Sequence, residues 1–447
     1  MEERQQSSEA AGMRKIWIKA GRFAAETPSH RNRYADFLRA VSILVVVVGH
    51  WLMAAPRLVD GQLQANHLLA ETRWTHWLTW LLQVMPIFFL VGGFSNATAL
   101  GRNTKPYGEW LRERLRRLVV PALPLLAVWT VAAGWALSAG FSSSLLKVGS
   151  QVALVPVWFL AVYLVIVALA PLTWAAWRRW GWRTVVIPGL AAGAVDLIAF
   201  ATNQPTIGYL NYVLVWGTVH QLGYAWAEGR LGSVRANLTM AMGGLSALAT
   251  LVALGPYPVA MVGLTENAVN NTQPPKVTLL ALGLFQSGLL LALQEPARRW
   301  LAKFRPWRVT VAINGSIMSL YLWHLTAMVG LIGLSMLAGG WGLTMPIDTP
   351  LWWLTRPLWM LTTVVATLPF LALFSRFERP KPDQRPAPAE WRVLLGVAGF
   401  TAGLGLLAYY GIADAEGLNG VAITLPFAAA LVGGVVALRP DADDARK

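Results

Sequence analysis

The sequence of 447 residues contains no cysteine, and only 13% of its residues are charged. Without cysteine the chain can have no disulfide, no thiol nucleophile and no thiolate metal ligand. Its six histidines are scattered, without a metal-ligand spacing such as His-Glu-x-x-His. We therefore expect no chemistry through sulfur, no metal site and no permanently bound cofactor.

Hydrophobic residues make up 55% of the chain and recur in long runs. Runs of about 18 or more apolar residues are long enough to cross a bilayer as helices. This composition excludes a soluble enzyme and leaves no room for a sizeable soluble domain. We predict an all-α fold, a polytopic membrane helical bundle with a core of about ten transmembrane helices and a C-terminal two-helix hairpin. The predicted crossings are residues 37–56, 77–99, 118–138, 155–176, 183–201, 212–229, 237–262, 277–295, 310–335, 353–375, 393–412 and 420–438.

The chain is strongly basic, with a formal net charge of +15, but its basic residues follow a topological pattern. They cluster in alternate loops, as expected where basic loops face the cytoplasm. The even number of crossings then predicts that both termini are cytoplasmic. We expect a multi-pass protein of the inner (plasma) membrane that binds no nucleic acid. The basic loops are residues 14–33, 102–117, 178–183, 230–235, 298–308 and 376–392.

Shifts in composition divide the chain into five predicted parts. The first 33 residues are polar and basic and lack a small-residue cleavage site, so we expect no removable signal peptide. Four prolines between 378 and 392 indicate a linker. The parts are a cytoplasmic tail (1–33), the membrane core (34–377), a cytoplasmic linker (378–392), an accessory transmembrane hairpin (393–438) and a second cytoplasmic tail (439–447).

Arg39 and His50 are the most informative polar pair, because both lie within one apolar run. Eleven residues of α-helix turn about 1100°, about 20° past three full turns, and rise about 16 Å. The two side chains therefore share one helix face, with the histidine deep in the run, where a polar group needs a partner or a wet cavity. One interpretation is an anion bound at Arg39 and a proton moved at His50. The alternative is an arginine at the membrane boundary and a histidine bonded to a neighbouring helix.

Five segments follow one another along the chain: residues 34–40 followed by His50, then 88–94, 112–121, 158–160 and 319–324. In this order they resemble integral-membrane acyltransferase family 3. Residues 91–97, 220–223 and 321–325 further resemble actinobacterial members that lack an attached soluble esterase-like domain. The resemblance covers about residues 34–375. One departure is Gly92, where the family usually has Ser; Ser95 would have to replace that hydroxyl, or its role is absent.

The resemblance implies transfer of an acyl group, which we expect to be acetyl or another short acyl, from cytoplasmic acyl-CoA as donor substrate. The acceptor would be a hydroxyl or amine of a cell-envelope glycan, lipid or small molecule. His50 is the predicted general base, because imidazole can take the proton of an attacking hydroxyl near neutral pH. The predicted donor-binding residues carry guanidinium groups, whose planar forks suit phosphate: Arg39, Arg112, Arg114, Arg116 and Arg117. Membrane topology and contact with anionic lipids would also explain the last four.

Other polar residues could orient His50 or contact substrate. Polar groups inside membrane helices are site candidates by default, although hydrogen bonding between helices is the common alternative. The loop around Asn271 is rich in amides, which suit a polyhydroxyl acceptor but also cap turns. The candidates are Asp36, Ser95, Trp158, Asp196, His220, Gln221, Asn271, Asn314, Tyr321 and His324.

Two other classes remain open at this point. About twelve helices with glycine-interrupted segments could form a secondary transporter, although paired halves with corresponding broken helices are absent from the sequence. A polyprenyl-linked glycan polymerase or glycosyltransferase would favour acidic groups or a metal site on a large outer loop, and the predicted outer loops are short. The sequence does not indicate an oligomeric state.

Overall fold

The computed structural model describes residues 17–28, 31–263, 269–378, 380, 383, 385–414 and 416–436. The helices of the first half are α1 (residues 17–25), α2 (Arg33–Met53), α3 (Leu68–Glu71), α4 (Thr79–Leu82), α5 (Met85–Leu100), α6 (Tyr107–Val119), α7 (Leu123–Ser138), α8 (Ser143–Ala153), α9 (Val155–Trp180) and α10 (Arg183–Thr202). Strands β1 (Arg57–Val59) and β2 (Gln62–Gln64) form an antiparallel hairpin after α2.

The helices of the second half are α11 (Asn211–Ala227), α12 (Val234–Leu254), α13 (Val277–Ala292), α14 (Gln294–Ala302), α15 (Phe304–Asn314), α16 (Ile317–Leu337), α17 (Pro350–Phe374), α18 (Glu390–Tyr410) and α19 (Gly420–Val432). Strands β3 (Ala413–Asp414) and β4 (Gly417–Leu418) pair between the last two helices. Short 3-10 helices cover Arg73–Leu78, Pro205–Leu210 and Ser375–Phe377.

The predicted all-α membrane bundle is confirmed. Among the described residues, eight helices are long and apolar enough to cross a membrane, or up to ten if each bent pair forms one span. The bent pairs are α6 with α7, at 45°, and α13 with α14, at 51°. Helices α11, with 17 residues, and α19, with 13, are shorter.

Proline and glycine account for the main differences between predicted and observed helix ends. The predicted crossing 237–262 ends too late, because Gly255-Pro256 follows α12 and the residue before a proline is disfavoured in helix. The predicted crossing 118–138 starts too early, because a turn containing Pro121 separates α6 from α7. The predicted crossing 310–335 is divided at Gly315-Ser316 into α15 and α16.

Helices α5 and α11 cross closely because each presents a glycine at the contact. A Cβ atom added at Gly93 would lie 1.7 Å from the carbonyl oxygen of His220, and one added at Gly223 would lie 2.2 Å from that of Leu90. Only glycine leaves room for the opposing backbone. This crossing holds the polar side chains that follow Gly93 on α5 beside those of α11.

The predicted accessory hairpin packs on the bundle. Helix α18 contacts α9, α6 and α8, and α19 packs against α18. The two helices approach closely at Gly403, where an added Cβ would lie 2.5 Å from Cδ of Pro426. Residues 393–436 therefore support α6 and α9 from one side.

Candidate active site

Helix α2 carries both residues of the predicted pair. Arg39 lies in its second turn, and His50 lies three residues before its end at Met53. The backbone becomes extended at Ala54, shortly before Pro56, so His50 lies in the last turn of the helix. His50 is nevertheless half-buried. We refer to the two levels of the bundle as the Arg39 end and the His50 end.

His50 and His324 form a direct hydrogen bond between α2 and α16. Nδ1 of His50 lies 3.0 Å from Nε2 of His324, and the two rings stack with centroids 5.2 Å apart. Nδ1 of His324 lies 2.8 Å from the carbonyl oxygen of Tyr321. A carbonyl oxygen can only accept, so His324 carries its proton on Nδ1 when neutral, and its Nε2 accepts from His50. His50 is thereby left with an unprotonated Nε2.

The surrounding contacts hold this pair in place. Trp51 donates from Nε1 to the carbonyl oxygen of His324 at 3.1 Å, and the Tyr321 hydroxyl donates to the carbonyl oxygen of Pro156 at 2.9 Å. His324 itself is fully buried. Helices α2, α9 and α16 are thus joined around the two imidazoles. The candidates His50, His324 and Tyr321 form one cluster.

Arg39 is oriented by two of the predicted candidates. Its Nη2 donates to Oδ1 of Asp36 at 3.0 Å, and its Nε donates to Oδ1 of Asn314 at 2.9 Å. Asn314 in turn donates to the backbone carbonyl of Asp36 at 3.0 Å. The Arg39 side chain remains 39% exposed, so the guanidinium keeps N–H groups for a ligand.

The four arginines of α6 point in different directions. Arg112 and Arg116 contact the linker: Arg112 donates to the carbonyl oxygens of Arg385 and Pro386, and Arg116 donates to Asp383 at 2.9 Å. The structure thus places these two predicted donor-binding residues on linker groups. Arg117 is exposed. Arg114 lies on the other side of the helix.

Tyr163 of α9 packs against the backbone of α5, where a Cβ atom added at Gly92 would lie 2.8 Å from the Tyr163 hydroxyl oxygen. One turn further along α5, Nδ2 of Asn96 lies 3.0 Å from Nε2 of the buried His220. The sequence analysis did not identify Tyr163 or Asn96. The available signal was a phenol in an otherwise apolar segment, five residues after Trp158.

A series of aromatic rings leads from Tyr163 to the imidazole pair at the His50 end. Phe159 stacks on Tyr163 with centroids 5.6 Å apart, and its edge meets Tyr321 at 6.0 Å. The ring of Tyr321 lies 6.3 Å from that of His324. Trp158 packs on Phe159, with ring centroids 6.4 Å apart. Trp158, Phe159, Tyr163 and Tyr321 therefore form an aromatic wall beside the imidazole pair.

One protein family matches most of the chain. A model of an acyltransferase domain, that of acyltransferase family 3, matches residues 32–376. The chain belongs to acyltransferase family 3. Both polar ends and the aromatic wall lie within the matched region. No curated protein and no solved structure matches the chain significantly.

Four of the predicted site residues lie outside both clusters. Ser95 is exposed, so it does not supply the hydroxyl missing at Gly92. Asp196 accepts from Asn211 and Tyr257 and lies 3.7 Å from Nζ of Lys276. Asn271 donates to two backbone carbonyls of its own loop and accepts from Thr278. Gln221 is buried next to His220, and its Oε1 has no partner among the described residues.

The linker contact of the acyltransferase yields a stability prediction. Hydrogen bonds from Arg385, aided by the charge of Arg116, lower the pKa of Asp383 to about 2. The ion pair therefore stabilises the fold fully above the unfolded pKa near 4, and the stabilisation is lost as pH falls through about 2. We expect Asp383→Asn to lower the free energy of unfolding by about 2 kcal/mol at pH 7.

Thermal unfolding in detergent measures this loss, with Asp60→Asn at the exposed turn between β1 and β2 as a matched control. The difference in melting temperature between Asp383→Asn and wild type should shrink below pH 4. Equal melting temperatures at pH 7 would show that the linker contact does not stabilise α6.

Proposed function

We propose that the protein transfers an acyl group from cytoplasmic acyl-CoA to a hydroxyl or amine of a cell-envelope glycan, lipid or small molecule, with His50 as general base. The observation that carries this proposal is the pair of hydrogen bonds that links the carbonyl oxygen of Tyr321 to His324 and His324 to His50. It leaves one unprotonated imidazole nitrogen on a half-buried side chain. A general base requires such a nitrogen. Family membership supports acyl transfer as the reaction.

The chemical step uses His50 twice. Nε2 of His50 takes the proton of the acceptor hydroxyl or amine as that atom attacks the thioester carbonyl carbon. The tetrahedral intermediate collapses, the carbon–sulfur bond breaks, and the CoA sulfur leaves with the proton that His50 had taken. His324 accepts a hydrogen bond from Nδ1 of His50 throughout, and so stabilises the imidazolium formed between the two transfers.

The donor would enter from the Arg39 end. Arg39 lies about 16 Å along α2 from His50, which suits an anionic head at Arg39 with the extended pantetheine arm reaching towards His50. Arg114 lies in a basic loop predicted on the same side of the membrane, and it would add a second guanidinium there. The aromatic wall beside the imidazole pair offers an apolar surface to the arm. The basic loops favour a cytoplasmic Arg39 end, both termini in the cytoplasm and a location in the plasma membrane.

The acceptor would reach His50 from the other end. His50 lies one turn from the end of α2, next to the β1–β2 hairpin. An acceptor in the outer leaflet or outside the membrane could approach there without passing the donor site. The short acyl group, and not CoA, would then change sides.

Release of CoA tests the proposed function. The chain contains no cysteine, so the protein itself does not react with a thiol reagent, and extract without protein gives the background. Purified protein should release CoA from acetyl-CoA when an envelope extract is added, and little without it. A transporter or a glycan polymerase would release none, and that result would contradict the proposal.

Arg39→Lys should raise the KM for acyl-CoA about tenfold and leave the acceptor KM unchanged. Arg39 uses two nitrogens to bond Asp36 and Asn314, and a lysine cannot keep both bonds and still contact the donor. Steady-state kinetics with varied acyl-CoA measure the change. Arg102→Lys, on the exposed turn after α5, is the control. An unchanged donor KM would mean that Arg39 does not bind the donor and only lies at the membrane boundary.

A further inference from the structure

A cavity of about 890 Å³ lies between helix ends next to the start of α2. It is bounded by residues 31–33, by the end of α11 and the turn to α12, and by α14, with Phe94 of α5 at its side. These segments adjoin three of the basic loops, residues 14–33, 230–235 and 298–308. Ligand sites have volumes of about 300–1,000 Å³. The cavity is therefore large enough for a ligand, at the level where the basic loops predict the cytoplasmic boundary of the membrane.

The inner surface of the cavity is apolar, and its aromatic rings pack against each other. Phe94 and Trp226 lie with ring centroids 4.3 Å apart, and Trp226 donates from Nε1 to Oε1 of Gln294. Trp226 is 4% exposed, so its ring has no open face on which a nucleotide base would stack. Leu231 and Leu291 line the same cavity. This surface suits the carbons of a lipid better than a base.

The rim of the cavity is basic. The described residues that line it include three arginines, Arg31, Arg33 and Arg298, and one acidic residue, Glu295. The side chains of Arg31 and Arg298 are 51% and 44% exposed, and each uses one nitrogen on a carboxylate, that of Asp36 and that of Glu295. A guanidinium has five N–H donors, so both arginines keep donors for a phosphate group. We refer to the three as the rim arginines.

An apolar inner surface below a basic rim matches the two parts of a phospholipid. Basic pockets between membrane helices on the cytoplasmic side bind anionic lipid headgroups. We propose that this cavity binds one anionic phospholipid, with its phosphate at the rim arginines and the start of its acyl chains against the apolar inner surface. Leu293 and Val234, each 50% exposed, extend this apolar surface at the side of the cavity.

Asp36 connects the cavity with the proposed donor site. Its Oδ2 accepts from Nε of Arg31 at 2.6 Å, and its Oδ1 accepts from Nη2 of Arg39 at 3.0 Å. A lipid phosphate at the rim and a donor phosphate at Arg39 would thus lie at guanidiniums that share one carboxylate. CoA is therefore the competitor against which lipid binding has to be measured.

Native mass spectrometry of the purified protein measures the binding of dioleoyl phosphatidylglycerol, with dioleoyl phosphatidylcholine as the neutral comparison. We expect the wild type to bind one phosphatidylglycerol more tightly than phosphatidylcholine. Arg298→Gln should raise the Kd for phosphatidylglycerol about fivefold, as for loss of one basic residue near an anionic bilayer surface. Arg299→Gln removes the same charge from an exposed neighbour that does not line the cavity, so this matched control should keep the wild-type Kd.

A second variant fills the cavity and keeps its charge. Ala302→Trp should also weaken phosphatidylglycerol binding, whereas Ala236→Trp, at an exposed position of α12 outside the cavity, should not. Equal affinity of the wild type for the two lipids, or equal Kd values in Arg298→Gln and Arg299→Gln, would overturn the inference. Displacement of the bound phosphatidylglycerol by CoA would also overturn it and assign the cavity to the head of the donor. The proposed function would stand in each of these cases.

Discussion

His50→Ala should lower the kcat of acyl transfer by about 10³-fold while the protein folds as the wild type does. The alanine removes the nitrogen that takes the acceptor proton, and a positioned general base typically contributes 10²–10⁴-fold. Because His50 is only half-buried, its loss should change the melting temperature little. The KM for acyl-CoA should stay within about twofold, since Arg39 and Arg114, the proposed donor-binding residues, remain.

The matched control is His76→Ala, at a histidine that bonds the backbone of Leu69 outside the cluster. CoA release is measured for both variants against the wild type. Wild-type turnover in His50→Ala would remove the assignment of the base. A loss of the same size in His76→Ala would point to a general effect on folding.

His324→Asn should lower kcat by about 10²-fold without a comparable change in either KM. The asparagine can still donate to the carbonyl oxygen of Tyr321, but it is too short to accept from Nδ1 of His50 at the position of Nε2. His50 would then lose the partner that fixes its tautomer and stabilises its charged form. The effect belongs to the chemical step, so it should appear in kcat.

His324→Gln separates this positioning role from packing. Its amide oxygen can reach the position of Nε2 and accept from His50, so we expect it to recover about tenfold of the loss. Both variants fill a fully buried position, and their melting temperatures should be alike. Equal activity of the two variants would mean that the hydrogen bond to His50 does not matter.

The sequence predicted the Arg39–His50 relation because helix periodicity depends only on spacing along one element. It also named His324 and Asn314, but not that His324 would pair with His50. Those two residues are separated by 274 positions, and no periodicity relates residues on different helices. The helix break at Gly315-Ser316 further sets which face of α16 meets α2.

The spacing of the arginines in the sequence of α6 already predicts that they lie on different faces of the helix. Arg112 and Arg116 are four residues apart and so share a helix face, whereas Arg114 lies about 200° from Arg112. The structure separates them as this spacing requires, with Arg112 and Arg116 on the linker and Arg114 over the ring of Trp110.

The position of Tyr163 could not be predicted from the sequence, because its ring occupies a space that exists only where Gly92 has no side chain. The helix contact that joins Gly92 to Tyr163 is tertiary. The sequence named Asp196 as a candidate but not its partners Tyr257 and Lys276, which lie far along the chain. Contacts between distant segments, and not spacing along the chain, determine which candidates lie together.

Transfer across a sealed membrane tests the central claim most directly. Protein is reconstituted into liposomes, and the experiment is restricted to the population with its Arg39 end facing the lumen. Acetyl-CoA labelled in the acetyl group is enclosed, and envelope extract is added outside. We predict that label becomes covalently attached to extract components outside with the wild-type protein and not with His50→Ala, while CoA stays inside. Label that stays on enclosed CoA with folded wild-type protein, or equal transfer by His50→Ala, would contradict the account.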